Sequence, residues 1–75
     1  MEKKLSEMEY EEEGTVTDIE GTLRKKVAGM GIRVGKKLKM ITKQPVKGPV
    51  VVVVDEANTS LGLNIAEKII VEMKS

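Results

Sequence analysis

Five consecutive valines, Val50–Val54, stand between Gly48-Pro49 and Asp55-Glu56. Branching at Cβ makes valine stiff in a helix and well suited to a pleated surface, so the run reads as a strand. Alternation puts Val50, Val52 and Val54 on one face and Val51 and Val53 on the other. Both faces are apolar, yet a chain of 75 residues holds a single domain that buries roughly 60% of the surface it exposes when unfolded. So thin a domain has one interior. The second valine face must be covered by a helix or by the N-terminal segment, or else stand as a contact surface. Pro49 before the run, and Asp55 and Glu56 after it, limit aggregation while the strand is unpaired. The run is also the longest apolar stretch in the chain and is far too short to span a bilayer.

The rest of the pattern supplies more short strands. From Gly14, GTVTDIEG places Val16 and Ile19 among polar neighbours and ends in a glycine turn. Thr22 offers a helix N-cap, and Leu23, Val27 and Met30 recur at i, i+4 and i+7 on one stripe of a short helix. Gly31 follows, where a left-handed C-cap is expected. In KKLKMITK, Leu38 and Met40 share one strand face while Lys37, Lys39 and Ile41 share the other. QPVKGP at 44–49 is turn chemistry, Asp55 to Asn58 is the next turn, and Ser60-Leu61-Gly62-Leu63 is a short strand candidate. NIAEKIIVEM admits two readings: one helix, or a helical turn over 64–68 followed by a strand over 69–72. Residues 1–13 show little apolar pattern beyond Leu5, Met8 and Tyr10 and are set apart as a partly ordered acidic arm; residues 14–75 form the domain. About five short strands and one helix after the first strand predict a mainly β fold, a small closed barrel that exposes little sheet edge.

Charge is distributed in blocks. Residues 1–21 carry eight acids against Lys3 and Lys4, a net −6; residues 22–48 carry nine cations and no acid; residues 49–75 carry a net −2. The middle block is either a basic face for an acidic or phosphate-bearing partner, or a strip neutralised by the acidic N-terminus folding across it.

Chemistry is bounded by what is missing. There is no Cys and no His, which removes disulfides, thiolate metal sites and imidazole catalysis, and no matching nucleophile–base pair stands out. The chain therefore reads as a non-enzyme with no cofactor and no assigned metal ligand; Glu11-Glu12-Glu13 lacks the spacing of a calcium loop. Gly29, Gly31, Gly35 and Lys36 fall short of a phosphate loop because Met30 and Lys37 stand where a glycine and a hydroxyl are needed. Nucleic acid is disfavoured as a partner despite the basic block. Tyr10 is the one aromatic residue, and single strands bind on aromatic platforms. The polar, acidic N-terminus reads against a secretion signal and places the chain in the cytosol.

The ordered set GTVTDIEG, LRKKVAGMGIRVGKKLKMITKQP, GPVVVVV and AEKIIVE resembles ferrous iron transport protein A, the FeoA family. The landmarks are Gly14, Arg24, Met30-Gly31-Ile32, Gly35, Pro45, Gly48-Pro49, Ala66, Ile69 and Val71; Val34 departs from the proline frequent before the turn glycine in that family. The resemblance implies an SH3-like barrel and favours the helical turn and final strand at the C-terminus. It also implies a small cytosolic accessory of FeoB, the membrane ferrous-iron transporter with a cytosolic GTP-binding domain, and so a position at the inner face of the membrane through that partner. Docking is assigned to Arg24, Lys25 and Arg33 for charge and to Val27 and Met30 for apolar contact, and self-association is left open. The alternative is an SH3-like RNA-binding module of the translation apparatus, which shares the Gly-x-Val-x-x-Ile opening.

Overall fold

The valine run forms a strand with the alternation its sequence requires. In the computed structural model, which describes residues 1–43 and 48–74, Val50, Val52 and Val54 are buried and Val51 and Val53 are half-buried. In chain order the elements are β1 (Glu2–Lys4), β2 (Glu13–Ile19), α1 (Arg24–Ala28), β3 (Lys37–Lys43), β4 (Val50–Val54), β5 (Ala57–Leu61), α2 (Leu63–Ala66) and β6 (Ile69–Met73). Short 3-10 turns at Leu5–Glu7 and Gly21–Leu23 precede β2 and α1. Of the loop read at 44–49, residues 44–47 lie outside the described residues.

Among the described residues the strands form one sheet of six in the order β1-β6-β2-β3-β4-β5, every neighbouring pair antiparallel. Two irregularities bend it. The β2–β6 register shifts between Val16 and Asp18, and the β3–β4 register between Met40 and Thr42. An extra residue on one strand sharpens local twist, which lets β3 pair with β2 through its first half and with β4 from Lys39 onward. A flat sheet is about 10 Å thick; the shortest dimension here is 22 Å, so the sheet curls around its interior. It does not close, however. β1 and β5 remain edges, so the mainly β expectation holds, with six strands where about five were expected, and only the closure of the barrel is corrected. The additional strand is β1, and it pairs with β6 rather than β5.

That pairing relocates residues 1–13, expected as a partly ordered arm. Glu2, Lys3 and Lys4 lie opposite Glu72, Val71 and Ile70, and Leu5 and Met8 have no exposed surface. In a tight turn of three residues per repeat, side chains three apart fall on one side, so this spare apolar pattern suffices to seat the segment in the core. Lys3 Nζ, 3.0 Å from Glu12 Oε1, closes the chain between the turn and β2.

The interior is aliphatic throughout. Val16, Ile19, Val27, Ile32, Leu38, Met40, Leu61, Ile69 and Val71 join Leu5, Met8 and the inward valines, each worth about 1.5–3 kcal/mol when fully removed from water. β2 and β6 approach so closely that a Cβ on Gly14 would overlap Val71 Cγ1 and lie 2.7 Å from the Glu72 carbonyl oxygen. Only glycine fits there.

Local details depart from the sequence reading at three places. Thr22 does not cap α1. The 3-10 turn moves the helix start to Arg24, and the Thr22 hydroxyl instead donates to Glu20 Oε2 at 2.6 Å. The β4–β5 turn is only Asp55-Glu56, both at positive φ (51° and 66°), because a tight hairpin needs the left-handed conformation at both central residues. Ala57 and Asn58 consequently belong to β5. Leu63 opens α2 rather than ending a strand, since the Gly62 carbonyl accepts from Ile65 and Ala66 N–H. Gly31 is left-handed as expected (φ 86°), and the C-terminus is a helical turn followed by a strand.

Two stability measurements check this account. Gly14→Ala should lower the urea-unfolding free energy by at least about 1–3 kcal/mol, because either strand must shift to admit the methyl. Glu56→Gly should raise it by about 1 kcal/mol, by relieving a left-handed residue that has a Cβ.

Candidate functional site

The segment between β2 and β3 carries the residues assigned to docking, and the structure separates them into two groups. Val27 is fully buried. It belongs to the core and offers a partner nothing, which corrects its assignment as an apolar contact. The physical reason is the brevity of α1. A five-residue helix has no packing of its own and is held down by its one buried side chain. Its end is tied by Ile32 N–H donating to the Val27 carbonyl at 3.0 Å, across the left-handed Gly31. Met30 is half-buried and packs against the same core.

Arg24, Lys25 and Arg33 are exposed. Arg24 is oriented before any partner arrives: its Nε donates to the Ile19 carbonyl and its Nη2 to Asp18 Oδ1, both at 3.1 Å. The ion pair is more than half exposed on each side (59% and 65%), so it contributes little stability; its effect is to aim the guanidinium. Arg24 and Arg33 line one groove with Ile19, Ala28, Ile32 and Val34. Val34, at 51% exposed, is the apolar residue of this face that a partner can reach. Ala28, Ile32 and Val34 were missed from sequence. The available signal was Val34, an apolar residue in a turn between Arg33 and Gly35.

The acidic N-terminal block meets the basic one at Arg24, which pairs with Asp18; Lys36 pairs with Asp55, and Lys3 pairs within the acidic block. Among the described residues Lys25, Lys26, Arg33, Lys37 and Lys39 have no ion pair. Two guanidinium groups beside a small apolar floor can hold a carboxylate next to an apolar side chain. No group of three or more acids among the described residues could hold a metal ion, and no helix among them is long and apolar enough to cross a membrane.

A family model for the FeoA domain matches residues 3–73. The chain belongs to the FeoA family. The match takes in Lys3 and Lys4 of β1, the strand that lies beside β6. Among solved structures, the FeoA family fold recurs in an iron uptake regulatory protein (FeoA), with a TM-score of 0.90 and 27% identity over 99% of both chains. It recurs in a FeoA-like protein from Clostridium acetobutylicum, with a TM-score of 0.86 and 28% identity over 99% of this chain and 88% of that one. FeoA from Stenotrophomonas maltophilia, solved with zinc and described as a prokaryotic SH3-domain protein, has a TM-score of 0.77 and 22% identity over 91% of this chain and 87% of its own; at that identity it shows the fold alone. Comparison with curated protein sequences gives no match. The fold is SH3-like, and membership of the FeoA family, with the iron uptake regulatory relative, points to an accessory role in iron uptake.

The two groups of residues should separate on mutation. Val27→Ala should cost about 2 kcal/mol of unfolding free energy through reduced burial and a cavity, whereas Lys25→Ala should stay within about 0.5 kcal/mol, both read from urea titrations.

Proposed function

We propose that this chain is a non-catalytic cytosolic accessory of ferrous iron transport that docks on the membrane transporter FeoB, on its cytosolic GTP-binding part, through α1 and the turn that follows. The observation that carries the reading is the groove flanked by Arg24 and Arg33, with half-buried Ala28 and exposed Val34 as its reachable apolar lining. Arg24 is already held by Ile19 and Asp18, so less side-chain freedom is given up when it engages a carboxylate. Lys25, Lys26 and Arg33, with no ion pair among the described residues, steer an acidic surface toward the groove and raise the encounter rate. Val34 supplies the apolar contact that the sequence reading gave to Val27. Against RNA as the ligand, the sole aromatic side chain, Tyr10, is 66% exposed but sits among Glu9, Glu11, Glu12 and Glu13, where phosphates are repelled.

Capture of the transporter's cytosolic part by the immobilised chain tests this. Arg24→Glu and Arg33→Glu should each weaken capture by about tenfold or more, the scale expected when a charge-assisted hydrogen bond is removed and a repulsive charge takes its place. Lys25→Glu should have a smaller effect, and wild-type capture should fall as added salt shortens the range of the exposed charges. Capture by all three variants equal to wild type would remove this face from the interface.

A further inference from the structure

A second groove lies elsewhere on the sheet and shares no residue with the one beside α1. It forms over the short pairing of β2 with β3, where Glu13 lies opposite Lys39, and continues onto β4, where Lys39 lies opposite Val53. Val53 belongs to the outward face of the valine strand. It is half-buried, and it lines the groove together with Lys37, Lys39, Lys74, Glu13 and Asp55. Neither α1 nor β1 and its 3-10 turn supplies a lining residue, so the outward valine face is open here to a partner.

The charges around Val53 have a definite sense. Asp55 is already held by Lys36 Nζ at 2.7 Å, which leaves Glu13 as the one acid of the groove against three cations. Lys37, Lys39 and Lys74 have no ion pair among the described residues. Their backbones are fixed: Lys37 and Lys39 are in the β2–β3 ladder, and Lys74 N–H donates to the Glu13 carbonyl at 2.9 Å. Three cations around one apolar residue complement an extended segment that carries carboxylates two residues before and after a small apolar side chain, because residues two apart share one side of such a segment.

We propose that this groove is a second docking surface, one that takes an extended acidic segment of a partner protein with a small apolar side chain seated on Val53. The concave shape and the Glu13 carboxylate within it favour a peptide over an anionic membrane, whose headgroups present a broad negative plane. The chain then has two separate faces for acidic partners, and it can hold two segments of one protein, or one segment each of two, at the same time.

The test uses the isotope-labelled full chain and a short synthetic peptide in which Glu stands two residues before and two after Val with Ser between them, followed residue by residue through amide chemical shifts. Saturable shifts at Lys37, Lys39 and Val53 are expected, with no response to the same peptide carrying Lys in place of Glu. Lys37→Glu combined with Lys39→Glu should weaken the peptide by about tenfold or more while the remaining spectrum stays that of the folded chain. Val53→Ser, which keeps the lysines and removes the apolar seat, should weaken it severalfold. Shifts confined to residues 24–34 would overturn the proposal and leave the groove beside α1 as the acidic-peptide site, so the two readings fail separately. No shifts at all, or equal response to the basic peptide, would also overturn it. Binding to phosphatidylserine vesicles that disappears in the double lysine variant, without peptide binding, would assign the surface to lipid and overturn the peptide.

Discussion

The close approach of β2 to β6 at Gly14 is the contact on which the other parts depend. With hydrogen in place of a side chain there, the two strands meet closely enough for Val16 and Ile19 to join Ile69 and Val71 in the interior. β6 can then accept β1 on its other edge, which brings Leu5 and Met8 into the core. The same seam sets the start of the α1 segment, because Glu20 N–H donates to the Lys68 carbonyl at 3.0 Å just beyond the last β2–β6 pair. Arg24 is aimed by Ile19 and Asp18, the end of β2. The groove beside α1 therefore takes its geometry from a contact with no charged side chain in it.

How much of this was legible in the sequence follows from the range of the interactions involved. The valine strand and the left-handed Gly31 rest on neighbours a few residues apart and are visible in residue type and spacing; the split of the C-terminus into turn and strand is one of two readings the spacing allows, and the resemblance to the FeoA family favours it. β1 is held by β6, and Glu2 and Glu72 are paired across almost the whole chain; nothing in EKKL by itself announces that partner. The extent of β5 was hidden for a similar reason. Asn58, Thr59 and Ser60 are held extended by the valines opposite them rather than by any strong strand preference of their own. The apolar stripe through Leu23, Val27 and Met30 was correct as a stripe, but periodicity does not say whether a stripe meets the core or a partner. For a helix of five residues the core takes it. The groove beside α1 joins Arg24 to Val34 across the Gly31 turn, and the one over β2 and β3 joins Glu13 to Lys74; neither spacing is a motif.

On the proposed reading, this FeoA-family chain acts through its surface rather than through a reactive centre. The core contains no buried polar or charged residue among those described, so the ionisable side chains stand where partners can meet them. Among the described residues, Asp18, Asp55 and Glu12 pair with side-chain cations and Glu72 with the terminal amine. What remains is an excess of cations next to small apolar seats, Val34 in one place and Val53 in another. With no aromatic side chain to add bulk to either seat, each contact area is small, and selectivity falls to the arrangement of charge.

The order of the strands carries one more consequence. β6 follows every other strand of the sheet in sequence, yet it lies between β1 and β2, near the start of the domain. As the chain leaves the ribosome, β3, β4 and β5 can pair with neighbours close in sequence, but β1 has no partner and β2 lacks one of its two. The sheet is completed only when residues 69–73 have emerged, so this domain assembles late, through contacts between its first and last segments. Such contacts require closing a loop that spans nearly the entire domain, which makes for slow folding relative to a helical domain of the same length. Through that interval the valine strand has proline before it and two acids after it, and those three residues guard it until its neighbours arrive.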